Sequence, residues 1–347
     1  MYALMRYGSA WHDMPVIIKA VLDNKVDDRF CCLISDDTHP DTLINDGHLD
    51  HIVRCAIKEG LDPIKAIQYV TINVATCFRM DHEMGSITPG KCADIVFFDD
   101  LNDIRITRTM IDGDVVAENG KMTVAITPAE FPDYVLNTMH VGETITADSF
   151  RVAAPAGAGD TVKTRVIEII PERVGNFERL IDLKVKNGCV EADTERDILK
   201  MAVFERHHET GTKGFGFLKG FGFKKGAMAQ TVAHDAHNLL VAGTNDADMA
   251  LAANTLIECG GGMCAVADGK VLALLPLPIA GLMNDLPVHE MAELVEKLDA
   301  AWKEMGCVIA SPYMTMALVP LACLPELRLT NRGLVDCRTF RFVDLFC

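Results

Sequence analysis

Residues 30–39, Phe-Cys-Cys-Leu-Ile-Ser-Asp-Asp-Thr-His, constrain the architecture of this chain more than any other stretch. An apolar run from Phe30 to Ile34 stops abruptly at Ser35, Asp36 and Asp37. An unbroken apolar run bounded by polar turn residues reads as a buried strand. Strands of that kind belong to parallel sheets or barrels, which are covered on both faces. In such α/β folds the chemistry gathers just beyond the C-terminal ends of the strands. Two adjacent carboxylates at that point can ligate a metal ion or move a proton. They equally fit a polar turn that caps the next helix.

Composition narrows the function. With 347 residues there is room for two or three domains. Hydrophobic residues make up 49% and charged residues 24%, a globular composition. The net charge of −16, from 33 basic and 49 acidic residues, argues against nucleic acid or an anionic membrane as partner. A neutral small molecule is compatible with it. The longest apolar run, residues 271–277, is too short to span a bilayer. The first residues lack the charged-then-apolar layout of a signal peptide. Twelve cysteines occur without any Cys-x-x-Cys spacing. They read as reduced core residues in a cytoplasmic protein, not as a zinc or disulfide framework.

Along the chain, residues 1–80 alternate strand and helix signals. Leu49, Ile52, Val53, Ala56 and Ile57 mark one face of a helix that Gly60 closes. Asp62-Pro63 opens another as cap and first residue, with Ile64, Ile67, Val70 and Val74 expected inward. Residues 81–127 carry short strand signals, with a hairpin at Asp112-Gly113-Asp114. Residues 128–347 read as a separate α+β domain. There, residues 246–258 form a helix stopped by Gly260-Gly261-Gly262, a hairpin turns at Asp268-Gly269, and an amphipathic helix follows Pro287.

Other polar groups carry two readings each. His48 and His51, three apart, share a helix face and can ligate a metal, but they fit the edge of an apolar stripe better. His39, just beyond the strand, lies nearer a site at its mouth. His234, Asp235, His237 and Asn238 interrupt an apolar stretch. Polar groups so placed either meet a substrate or metal or form a hydrogen-bonded turn, and the turn is favoured. Residues 205–209, Glu-Arg-His-His-Glu, read as a solvated helix end. The alternating Gly and Phe of residues 214–226 lack a phosphate-loop pattern and fit close packing against another element.

Residues 35–75, beginning Ser-Asp-Asp-Thr-His-Pro-Asp, resemble the end of the catalytic barrel of the adenine deaminase family of amidohydrolases. Residues 85–101, with Gly90-Lys91-Cys92-Ala93-Asp94, are similar to that superfamily's exit from the barrel. Residues 217–250, with the His-Asp-Ala-His-Asn segment, narrow the resemblance to adenine deaminases. The implied fold is α/β: the last strand–helix units of a metal-dependent hydrolase (β/α)8 barrel in residues 1–80, part of a small composite β domain in 81–127, then a separate α+β C-terminal domain in 128–347.

The implied activity is hydrolytic deamination of adenine to hypoxanthine and ammonia, with two manganese or iron ions per site. The resemblance makes Asp36 the catalytic residue and metal ligand. It would take a proton from the attacking water and deliver it to the leaving amine. Ser35, Asp37, His39, His234, Asp235 and His237 are substrate-proximal candidates, Asp37 as an orienting group of the loop. The first metal ligands of this family lie in a His-x-His pair, and none occurs among the eleven histidines here. Met1 is accordingly expected to be an internal methionine of a longer protein, and this chain alone is expected to be inactive. Two alternatives remain: another cyclic-amidohydrolase activity, or a non-catalytic stand-alone domain. The expected partner is adenine, with self-association as a homo-oligomer open.

Overall fold

A computed structural model describes all residues, 1–347. The chain divides into two compact units, Met1–Ala129 and Glu130–Cys347.

The first unit runs β1 (Ala3–Arg6), α1 (Met14–Asn24), β2 (Cys31–Ile34), α2 (Pro40–Asn45), α3 (Leu49–Lys58), α4 (Pro63–Val70) and α5 (Ile72–Cys77). Then come β3 (Ile95–Phe97), β4 (Arg108–Ile111), β5 (Asp114–Glu118) and β6 (Lys121–Met122). β1 and β2 pair in parallel, with Arg6 opposite Ile34. Side chains alternate across a strand. Met5, Cys31 and Leu33 therefore share one face, where they pack with Met14, Ile18, Ile52, Val53 and Ala56 from the helices. Leu4, Arg6, Cys32 and Ile34 take the other face, and Leu4 is exposed there. β3 to β6 form an antiparallel sheet in chain order.

Asp62 caps α4 as expected, accepting from Ile64 N and Lys65 N at 3.0 and 3.1 Å, with Pro63 opening the helix. The inward face meets expectation in part: Ile67 and Val70 pack against the core, but Ile64 and Val74 do not. Thr71 leaves helical geometry (φ −125°, ψ −96°), so α4 and α5 are separate and no stripe runs through to Val74. Ala66 and Tyr69 are buried, and Ile64 is half exposed.

A two-stranded sheet leaves both edges unpaired. Val16, Phe78 and Ile87 of this unit are also exposed. Limited proteolysis should therefore cut within residues 1–129 first and leave a resistant 130–347 product. Equal resistance of both units would contradict this.

The second unit contains α6 (Asp133–Leu136), β7 (Thr161–Ile169), β8 (Asn176–Lys186), β9 (Cys189–Val190), β10 (Ile198–Phe204), β11 (Lys213–Lys219), β12 (Ala227–Ala233) and β13 (Asn238–Gly243). It continues with α7 (Asp246–Glu258), β14 (Gly262–Ala267), β15 (Lys270–Pro276), α8 (Val288–Glu304), α9 (Pro312–Ala317), β16 (Leu327–Thr330), β17 (Gly333–Asp336) and β18 (Arg341–Val343). Nine strands form one sheet, ordered β15-β14-β12-β13-β10-β11-β7-β8-β9. Every residue of β10 is buried because both faces of the sheet are covered. Leu199, Met201 and Val203 join a core with Leu298 and Trp302 of α8 and Met316 of α9. Ala202 and Phe204 join a second core with Met249, Ala253 and Leu256 of α7. Lys200 tolerates burial because its Nζ donates to Glu191 Oε2 at 2.9 Å and Asp246 Oδ1 at 2.6 Å.

The Gly/Phe tract packs closely. A Cβ on Gly214 would sit 2.1 Å from the carbonyl oxygen of Thr330, so only glycine lets β11 approach that strand. Phe217, Phe221 and Phe223 are buried.

Residues 205–209 are not a solvated helix end. They form a turn between β10 and β11 in which Glu205 and Arg206 are buried. The Arg206 guanidinium donates to the carbonyls of His237 (2.6 Å), Thr138 (2.8 Å) and Ala280 (2.9 Å). Glu205 accepts from the backbone N–H groups of His207, His208 and Thr210. Buried charge is tolerated when every polar atom is bonded; distant loops supply the partners of Arg206, and the turn itself supplies those of Glu205.

Candidate functional site at the ends of β1 and β2

The two parallel strands end side by side, and the turns that follow are cross-linked. Tyr7 N donates to Ile34 O at 3.0 Å, and Ser9 N donates to Asp37 O at 2.8 Å. Asp37 is buried, and its Oδ2 accepts from Ala10 N at 2.6 Å. Its Oδ1 lies against Gly8, where an added Cβ would come within 2.0 Å. Burial pushes the Asp37 carboxyl above the usual carboxylate range. Asp37 is thus tied into the turn that follows β1. Ser9 Oγ accepts from His39 N (2.9 Å) and donates to Thr42 Oγ1 (2.8 Å), joining the same turns.

Asp36 differs in every respect. Its backbone is left-handed, φ +61°, and its side chain is half exposed. Its Oδ2 accepts from Arg6 Nη1 at 3.1 Å. Arg6 is in turn bonded to Asp13 and lies over the Trp11 ring, 5.5 Å from its centroid. Ser35 Oγ is 3.1 Å from His48 Nε2. His48 therefore stands just before α3, at its cap position, and not along a helix edge. His51, within α3, lies edge-on to Tyr7 with ring centroids 5.8 Å apart. Burial pushes the His51 imidazole down and the Tyr7 phenol up to about 12. Arg6, Ser9 and His48 carry this geometry without a motif of their own. The Arg6-Tyr7-Gly8-Ser9 turn directly after β1 is the signal that could have drawn attention to them.

His39 caps α2 and is buried, which pushes its imidazole down to about 4, while Asp41 pulls in the opposite sense. A base that protonates less readily when folded stabilises the fold above its unfolded pKa. That stability is lost as pH falls from about 6.5 to about 4. The loss amounts to about 3 kcal/mol at most. The two tryptophans, Trp11 and Trp302, lie one in each unit. In a Trp302→Phe background, Trp11 fluorescence should show the first unit weakening over that window, and His39→Gln should flatten the loss. An identical pH dependence in the His39→Gln variant would refute this.

The remaining candidates lie on the second unit, in the turn between β12 and β13. Asp235 is exposed, His237 has φ +50°, and the His234 and His237 rings are 5.5 Å apart. His237 Nδ1 is 3.3 Å from Val232 O, and His237 N donates to Ala233 O. The turn is hydrogen-bonded and fastened through Arg206.

Residues 17–116 match the amidohydrolase family, which places the first unit in a class of hydrolases. Residues 176–341 match the adenine deaminase C-terminal domain. The chain is 66% identical over 346 residues to an adenine deaminase of Clostridium botulinum (strain ATCC 19397 / Type A), covering 100% of this chain and 57% of that protein. It is 54% identical over 345 residues to an adenine deaminase of Moorella thermoacetica, covering 99% of this chain and 58% of that one. The chain thus joins an amidohydrolase match in its first unit to an adenine deaminase C-terminal domain match in its second. It spans just over half the length of these relatives. A solved amidohydrolase from Thermotoga maritima is 20% identical, with a TM-score of 0.20, over 30% of this chain and 34% of that one.

The family implies a divalent metal cofactor. The donor set of this chain does not make up a two-metal centre. Asp36 is a single carboxylate with one oxygen on Arg6, and no three His, Cys, Asp or Glu side chains come together to hold an ion.

Proposed function

We propose that this chain forms part of an enzyme that hydrolyses adenine to hypoxanthine and ammonia. The observation that carries this reading is 66% identity, over the whole chain, to an adenine deaminase. The geometry supports Asp36 as the proton-moving group, since it is the accessible carboxylate of the pair and Asp37 is committed to the loop. Water adds at C6, forming a C–O bond, and the C6–N bond breaks. Asp36 accepts a proton from the water and returns it to the departing amine, because an unprotonated amide ion cannot leave. The first unit supplies the end of a barrel, and manganese or iron is the ion in the complete enzyme. We place the enzyme in the cytoplasm. Self-association is compatible with this reading. No helix is long and apolar enough to cross a membrane.

The test is hypoxanthine formation. A full-length protein containing this chain should deaminate adenine when loaded with Mn²⁺ or Fe²⁺. The 347-residue chain alone should yield none above background, because one carboxylate cannot assemble a two-metal site. Metal-dependent turnover by the chain alone would overturn the second expectation. Turnover of a different aminated heterocycle, and not adenine, would overturn the first.

A further inference from the structure

We propose that Arg6 is the positioning residue for Asp36, an inference that rests on the reading of Asp36 as the proton-moving group. Arg6 ends β1 opposite Ile34, on the sheet face opposite that of Met5 and Leu33. Its guanidinium is fixed before it reaches Asp36. Nε donates to Asp13 Oδ2 at 3.0 Å, Nη2 donates to the same oxygen, and the Trp11 ring lies beneath. Trp11 is itself buried, and its carbonyl accepts from Gly8 N at 3.0 Å. Nη1 is left to donate to Asp36 Oδ2. The left-handed backbone of Asp36 has already departed from strand geometry, so the strand does not dictate where the carboxylate points. Arg6 does. It holds one oxygen and leaves Oδ1 for the reacting proton.

Such a half-exposed ion pair contributes little to stability. Its value is geometric, since misplacing a reacting group by an ångström can cost about 10²-fold in rate. The role needs arginine. A planar fork can hold Asp13 and Asp36 at once, whereas a lysine ammonium is a point charge on a flexible stem.

The test uses the full-length enzyme containing this chain. Arg6→Gln should lower kcat by roughly 10- to 100-fold with KM and melting temperature unchanged, and Arg6→Lys should not restore it. In an Asp36→Asn background, Arg6→Gln should add nothing, because it acts through Asp36. A crystal structure of the Arg6→Gln variant of this chain should show the Asp36 carboxylate displaced. An unchanged kcat, a loss that adds to that of Asp36→Asn, a melting temperature that falls with the rate, or an unmoved Asp36 would each overturn the proposal. If Asp36→Asn itself remains active, the assignment of Asp36 fails, and that outcome is separate from a failure of Arg6 alone.

Discussion

Replacing Asp36 with asparagine in the full-length enzyme should cut hypoxanthine formation by about 10⁴-fold, the upper end of what a single acid–base group contributes. The amide keeps the shape and can still accept from Arg6, but it cannot take a proton at neutral pH. The loss sits at the upper end because, in the proposed mechanism, one carboxylate serves two proton transfers. Asp37→Asn should cost less than about tenfold in rate. Its side-chain oxygen can still accept from Ala10 N, and a buried charge is removed at the same time. The measurement is hypoxanthine formation by both variants at matched metal occupancy. A reversed pattern, with Asp36→Asn active and Asp37→Asn inactive, would mean that the other carboxylate does the chemistry.

The second large effect is on stability. Arg206→Met should destabilise the second unit by roughly 3–5 kcal/mol. The side chain is fully buried, and burial pushes its guanidinium down to about 10. Methionine fills similar space but leaves the carbonyls of Thr138, His237 and Ala280 without their donor. Each unsatisfied buried acceptor costs about 1–3 kcal/mol. Arg206→Lys should recover only part of this, because one ammonium cannot span three diverging carbonyls. Denaturant unfolding followed by Trp302 fluorescence gives the stability change. Hydrogen exchange at residues 234–237 should rise in both variants. A loss below about 1 kcal/mol in Arg206→Met would show that water replaces the guanidinium at those carbonyls.

Several features of this chain follow from local chemistry alone. Asp62-Pro63 caps and opens a helix because one side-chain oxygen satisfies two orphan N–H groups within three residues. The helix of residues 246–258 ends before three glycines, all with positive φ. Gly269 turns the hairpin after Asp268, again with positive φ at both positions. The strand ending in Ser35-Asp36-Asp37 was legible for the same reason, as an apolar run with an abrupt stop.

What the sequence could not decide was which polar group is buried and what meets it there. Asp36 and Asp37 are chemically identical neighbours. Only the close approach of Gly8 and Ala10, 27 to 29 residues earlier in the chain, buries and binds Asp37 and leaves Asp36 accessible. Glu205 and Arg206 have the composition of a solvated segment. Arg206 is buried because backbone carbonyls from separate loops converge on it, while Glu205 is satisfied by N–H groups of its own turn. Arg6 reads as an ordinary turn residue until the parallel pairing of β1 and β2 sets it beside Asp36. The sequence by itself determined several caps and turns, the buried strand and the carboxylate pair at its end, which depend on neighbours a few residues away. The tertiary structure alone decided the partners of Asp36, Asp37 and Arg206, because burial free energy depends on atoms that are near in space and distant along the chain.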